Sequence, residues 1–332
     1  MEDEQRRASV KAHGGFAMAH ATLDPALSAY CLADRGYQAY ARGSGAIIGM
    51  FNPVCAPADR RQLLEKFFRD AGASGIVQVD ADTARVCRSM SLMTHRMGVE
   101  TQIESDQFTL EGAPMRMVRE ACNRGRRLGY AIGEIGREVP DFLDTWAQLR
   151  EISRQWMATR TVKTREVGVM MRRSVFAMEQ GCRKFALLDP EGQIKGYQVY
   201  DPIYREGAID GYTLSFARFA RDRLKGRHYF MTAQVLARQR AEGRRCLELG
   251  LSPLYRVAEP DELNSSKVVQ QLLNLLYQHG GRLYGFKGLA LHKRKYRGRE
   301  EPSYLVTRSK LPLGLLVRLV RITGLIGWRR PD

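Results

Sequence analysis

Acidic residues are scarce in this sequence: 36 Asp and Glu stand against 53 Lys and Arg over 332 residues, a formal net charge of +17 at pH 7. The imbalance is silent about fold but favours polyanionic partners, whether nucleic acid, anionic lipid headgroups or phosphorylated cofactors. Cysteine is sparse as well. Cys31, Cys55, Cys87, Cys122, Cys182 and Cys246 form no C-x-x-C pair. That speaks against a zinc knuckle or a thioredoxin-type centre, and the spacing reads as reduced, mostly buried thiols of a cytosolic protein. The six histidines are scattered, without metal-ligand spacing, and no G-x-S-x-G elbow, H-E-x-x-H helix or Walker A loop is present. No uncharged apolar run reaches the roughly 18 residues of a membrane-crossing helix. The opening MEDEQRRASVKAHGG is charged throughout and does not read as a secretory signal. A soluble or peripheral protein is expected.

Hydrophobic residues nevertheless make up 44% of the chain, enough for packed cores, and the length suggests two domains. Short β-rich runs alternate with helical stretches, which predicts a layered α/β or α+β fold. In the first half, residues 45–51 and 75–79 read as strands. Between them lies a helix whose Leu63, Leu64, Phe67 and Phe68 share a face and which stops near Gly72. Another helix is expected around Met115, Val118 and Cys122. Pro140 marks the best boundary, followed by a helix with Phe142, Trp146, Leu149 and Ser153 along one side. The second half repeats the alternation. Strands are expected at 184–188, 195–200, 212–219 and 245–249, a helix from about Tyr229 to Glu242, and another carrying Val268, Val269, Leu272, Leu273 and Leu276. The shared order of elements suggests a duplicated domain.

The most informative stretch follows the strand ending near Arg218. A basic turn with Arg221, Arg223, Lys225, Gly226 and Arg227 leads into a helix, so free backbone N–H groups and the helix dipole converge on an anion site. Arg223-Leu-Lys-Gly226-Arg-His228 partly resembles the R-x-x-G-x-G/A loop that holds the coenzyme A pyrophosphate in Gcn5-related acetyltransferases, with His228 in place of the last Gly or Ala. The same residues also fit an exposed basic turn.

Two later segments are more specific. LELGLSPL (247–254) resembles the LGMAPL segment of the bacterial phosphatidylglycerol lysyltransferase (aminoacyl-phosphatidylglycerol synthase) family. LYGFKGLALHKRKYRGREEPSYLV (283–306) resembles that family's closing signature, with Phe286, Lys287, Gly288, Leu289, Lys293, Lys295, Tyr296, Glu301, Pro302, Tyr304 and Leu305 falling on it. FNPVCAP (51–57), FTLEG (108–112) and the Arg119–Asn123–Arg124 run agree with its first lobe. The resemblance covers roughly residues 35–306. It implies two tandem acetyltransferase-like lobes in an α/β fold, here 1–140 and 141–306, followed by a basic apolar tail at 307–332. It also implies aminoacyl transfer from aminoacyl-tRNA to phosphatidylglycerol at the inner membrane face, with no resident cofactor or metal. Full-length members usually carry an N-terminal multi-helix membrane domain, which this sequence does not show.

Two departures matter. The family's D-L-M-R strand appears as Ser215-Phe-Ala-Arg218, and the acidic residue usual at the start of the next helix falls at about Tyr229. Lost carboxylates put the aminoacyl donor in question and raise an acyl thioester of coenzyme A or acyl carrier protein, passed to an amino-lipid, as the alternative. A non-catalytic module that binds RNA or membrane is the reading from another class.

The candidate residues follow. Glu248 is a potential general base and Arg218 a potential partner for a carbonyl or phosphate; each also fits an ordinary ion pair. Arg223, Gly226 and Tyr229 would hold the donor, and Lys287, Lys293 and Lys295 would clamp phosphates of tRNA or lipid unless they form a merely solvated face. In the tail, Leu315, Leu316, Leu319, Ile322 and Ile326 share a helical face beside Arg318, Arg321 and Trp328-Arg329-Arg330. This predicts an amphipathic anchor on an anionic phospholipid membrane, the alternative being a helix docked on its own protein.

Overall fold

In a computed structural model of the chain, the structure describes residues 2–159, 172–280, 285–312, 314, 315, 317 and 318. The first half contributes α1 (Asp3–His13), β1 (Ser28–Cys31), β2 (Gly36–Gly43), β3 (Ala46–Met50), β4 (Val54–Cys55), α2 (Pro57–Asp70), β5 (Gly75–Val79), α3 (Ala81–Ser89), β6 (Met93–Glu104) and α4 (Arg116–Arg127). The second contributes β7 (Ala131–Glu134), α5 (Leu143–Ala158), β8 (Arg183–Leu188), β9 (Ile194–Arg205), β10 (Ala208–Phe219), α6 (Arg227–Ala241), β11 (Cys246–Pro253), α7 (Lys267–His279), α8 (Phe286–Arg294) and β12 (Arg299–Thr307).

These strands form one mixed sheet, ordered β1-β2-β3-β5-β12-β6-β11-β10-β9-β8-β7, with β4 paired to β2. The α/β class expected from the alternation is the class found. Each half repeats one plan: an antiparallel meander, then a helical crossover to a parallel neighbour. In the first half α2 carries β3 to β5, and in the second α6 carries β10 to β11. The halves then exchange their last strands. β6 lies against β11, β12 lies against β5, and β6 and β12 pair antiparallel at the centre. Strand partners therefore do not change at Pro140. β7, before it, pairs with β8, and β12, near the far end of the sequence, completes the first half.

Local chemistry accounts for the elements. β5 is buried at every position, so Ile76, Val77 and Val79 are all inside rather than alternating with solvent, and the one polar residue, Gln78, is buried with a hydrogen-bond partner. Leu63, Leu64, Phe67 and Phe68 are the buried face of α2, as their spacing predicts. α3 is capped by Asp80, whose side chain accepts from the Thr83 N–H. Phe142 departs from its expected place: it caps α5 and is 67% exposed, whereas Trp146, Leu149 and Ser153 turn inward.

The tail also departs from expectation. Leu315, assigned to a lipid-facing stripe, is buried in the core cluster that also holds Ile48, Met50, Val77 and Leu305. Leu316, Leu319, Arg321, Ile322, Ile326 and Trp328 to Arg330 lie outside the described residues. Leu315→Ala is therefore expected to lower stability to chemical denaturation by about 2–5 kcal/mol, as for other buried leucines. An unchanged denaturation midpoint would return this position to the surface.

Candidate active site

Where the halves exchange strands, three polar side chains come into register. Glu248 of β11 lies opposite Gln102 of β6, and Gln102 lies opposite Arg299 of β12. Gln102 joins them: its Nε2 donates to Glu248 Oε1 at 2.7 Å, and its Oε1 accepts from Arg299 Nη2 at 3.0 Å. Two residues back along β6, Glu100 accepts from Gln78 Nε2 at 2.8 Å. A bulge separates the two carboxylate rows, because β11 spends three residues from Glu248 to Leu251 where β6 spends two. Gly250 makes this turn at φ +74°, and Lys293 of α8 reaches over it to donate its Nζ to the Leu251 carbonyl at 2.8 Å.

Burial sets the electrostatics. Glu248 is 9% exposed, and desolvation, followed by the nearby Glu100, pushes its carboxyl up to about 8 despite Gln102, Lys293 and Arg299. Glu100 is raised for the same leading reason. Burial lowers the Lys293 ammonium to about 7 against the pull of both carboxylates. Glu248 Oε2 is buried and has no hydrogen-bond partner among the described residues. A buried carboxylate oxygen left unpaired, on a group that titrates near neutrality, is equipped to take a proton from an attacking hydroxyl or amine.

Around this cluster, β10 pairs with β11 only from Gly211–Cys246 to Thr213–Glu248, and beyond Glu248 the two strands are unpaired. α6 is capped at its N-terminus by Gly226, a left-handed residue at φ +79° packed against Ala121. Its first turn carries Tyr229, whose ring lies 4.8 Å from His292 and 5.5 Å from Tyr296. Burial, helped by Lys293, lowers His292 to about 4, so it is neutral at physiological pH. On the α4 side, a cleft of about 450 Å³ is lined by Ile103, Phe108, Met115 and Tyr296 with Glu104 and Arg299 at its polar edge.

The expected residues thus separate. Glu248 and Lys293 come together, and Lys293 is buried beside the carboxylates of Glu100 and Glu248 rather than on a solvated face. Tyr229 stands on the aromatic wall, and Arg223 is exposed at the turn. Lys287 is exposed and donates to the Gln278 carbonyl, and Lys295 caps α8 half-buried. Arg218 does not join Glu248. It lies five residues beyond Thr213 along β10, roughly 16 Å at strand rise. There it is 2% exposed, bonded to Ser153 Oγ, with its guanidinium over the Trp156 and Phe216 rings. Ser215, in the position of the family's Asp, donates to Asp201 of β9, so a carboxylate does stand there, already paired with Arg172.

Sequence reasoning missed Gln102, Glu100, Gln78 and His292. The period-2 run Glu100, Gln102, Glu104 alternating with Val99, Thr101, Ile103 was the available signal for the first two. It also passed over a cluster of His20, Glu179 and Cys182, whose donor atoms lie within 4.8 Å of one another. Glu179 is ion-paired to Arg172 and Lys184, and burial raises the Cys182 thiol well above its usual range. Two cations in the shell and a protonated thiol are a poor fit for a metal ion.

The family described as "Phosphatidylglycerol lysyltransferase, C-terminal" matches residues 7–307. The chain belongs to this family. Among curated relatives, a phosphatidylglycerol lysyltransferase of Staphylococcus xylosus is 23% identical over 265 residues, covering 78% of this chain and 30% of that protein. An uncharacterised Corynebacterium glutamicum protein is 23% identical over 293 residues, 84% of this chain and 35% of its own length. The chain thus spans about a third of the curated relatives it matches. In fold, it is similar to L-PGS from Bacillus licheniformis, at TM-score 0.81 and 20% identity with 99% and 97% of the two chains covered. It is also similar to FemX, at TM-score 0.53 and 11% identity with 96% and 98% covered.

Proposed function

We propose that this chain transfers an aminoacyl group from aminoacyl-tRNA to a hydroxyl of phosphatidylglycerol, with Glu248 as general base. The observation that carries the reading is the unpaired, buried Oε2 of Glu248 at the strand exchange, within a family named for this reaction. Glu248 takes the proton from the lipid hydroxyl as its oxygen attacks the aminoacyl ester carbon. The new C–O bond forms, the bond to the tRNA ribose oxygen breaks, and that oxygen receives the proton back from Glu248. Lys293, within the field of both carboxylates, stabilises the negative charge that develops on the carbonyl oxygen. The basic turn of Arg223 and Gly226 would hold the phosphates of the donor, and an acyl thioester would use the same turn. We place the protein on the inner face of the cytoplasmic membrane, where its lipid acceptor lies.

The test is a comparative lipidome. Cells carrying the gene should contain aminoacylated phosphatidylglycerol that is absent from cells without it. Purified chain should make the same product from charged tRNA and phosphatidylglycerol vesicles. An N-acylated amino-lipid in its place would transfer the reading to an acyl thioester donor, and no altered lipid at all would refute both.

A further inference from the structure

α7 is apolar on both sides. Val269 and Leu273 face inward against Leu254, Val257 and Phe286. Val268, Leu272 and Leu275, spaced i, i+4, i+7, form an exposed stripe joined by Leu276, with Val268 63% and Leu275 56% exposed. α8 continues it. Phe286, Ala290 and Lys293 are its buried row, which leaves Lys287, Leu291 and Arg294 as an outer row, basic-apolar-basic. Lys287 bonds the Gln278 carbonyl and lies 5.9 Å from the Tyr277 ring, so the outer row of α8 abuts the end of α7. From Lys267 to Arg299 the sequence has no Asp or Glu, while Lys267, Arg282, Lys287, Lys293, Arg294, Lys295, Arg297 and Arg299 are all basic.

We infer that the outer face of α7 and α8 docks on an anionic phospholipid bilayer. Exposed leucines beside cations, in a stretch of sequence free of carboxylates, fit an interface where side chains enter the acyl boundary and ammonium or guanidinium groups meet headgroup phosphates. A protein partner offers no comparable reason to exclude every acid over 33 positions. The site gains from the placement: Lys293, on the inner row of α8, reaches the Glu248 cluster while the outer row faces the lipid, so docking would bring the acceptor to the base. The inference rests on the lipid acceptor proposed above.

The experiment uses the full chain with vesicles of phosphatidylcholine alone, or of about three parts phosphatidylcholine to one part phosphatidylglycerol. The parent should sediment with the mixed vesicles and be released by salt. L272E/L275E, at two exposed positions, should melt with the parent yet bind the mixed vesicles at least about tenfold more weakly. In detergent micelles containing the lipid, the same variant should transfer at the parent's rate. Unchanged vesicle binding by L272E/L275E would overturn the proposal. So would K287E/R294E if it lowered tRNA affinity and left vesicle affinity intact, since the basic row would then belong to tRNA. If vesicle binding depends on the leucines but no lipid is modified in micelles, docking stands and the acceptor reading fails.

Discussion

Glu248→Gln should lower turnover about 10²- to 10⁴-fold with little change in KM, the loss typical of removing a general base. The amide keeps the volume of the side chain and its contact with Gln102 but cannot accept a proton from the acceptor. The parent should also show a pH profile set by this group. Glu248 must be ionised to act, and its carboxyl is pushed up to about 8, so turnover should fall about tenfold per unit as pH drops below that value. Stability should run the other way. Between the unfolded value near 4.5 and the folded value near 8, the folded state holds a proton that the unfolded state has lost. Stability from this group is therefore present at low pH and declines by about 1.4 kcal/mol per unit as pH rises through the window. E248Q removes that burden and should melt above the parent at pH 8, inactive but more stable. Parental turnover in E248Q, measured with charged tRNA and lipid, would remove Glu248 from the chemistry.

Much of the architecture is legible in the sequence because the core strands and amphipathic helices carry ordinary periodicity. Residues 75–79 read as a strand through Ile76, Val77 and Val79, and the stripe of Leu63, Leu64, Phe67 and Phe68 is a plain helical face. β6 is not legible in the same way. Its twelve residues include buried Thr94, His95, Arg96 and Thr101, which are tolerated inside because neighbouring strands and loops supply hydrogen bonds that no local pattern reveals. The site depends on that strand. Glu248 is visible as an acid on an apolar strand, but its partner Gln102 lies 146 positions away and meets it only through the exchange of β6 and β12. For the same reason the sequence groups Lys293 with its basic neighbours as a phosphate clamp and does not show its burial beside Glu100 and Glu248. One helical turn decides whether a lysine looks outward, as Lys287 does, or inward onto two carboxylates, and charge counting does not resolve that turn.

Lys293→Met should distinguish an electrostatic role from phosphate binding. The ammonium lies near Glu100 and Glu248 and favours their ionised forms, so removing it leaves only Gln102 and Arg299 to oppose desolvation and the repulsion from Glu100 at Glu248. The Glu248 carboxyl should then titrate above about 8, and the acid limb of the pH–rate profile should move to higher pH. A shift of one unit lowers turnover about tenfold at any pH on that limb, before counting lost stabilisation of the carbonyl oxygen, which adds a further drop below about pH 7, where Lys293 carries its charge. Methionine fills most of the volume over Gly250, so the bulge should keep its shape. Lys293→Arg keeps the charge and should return the limb toward the parent position even if the larger guanidinium fits poorly. A lysine that merely held tRNA or lipid phosphate would behave otherwise: K293M would raise KM and flatten the salt dependence of binding while the limb stayed in place. The two outcomes differ in which axis moves. The burial of Lys293, its bond to the Leu251 carbonyl and its two acidic neighbours place the change on the pH axis.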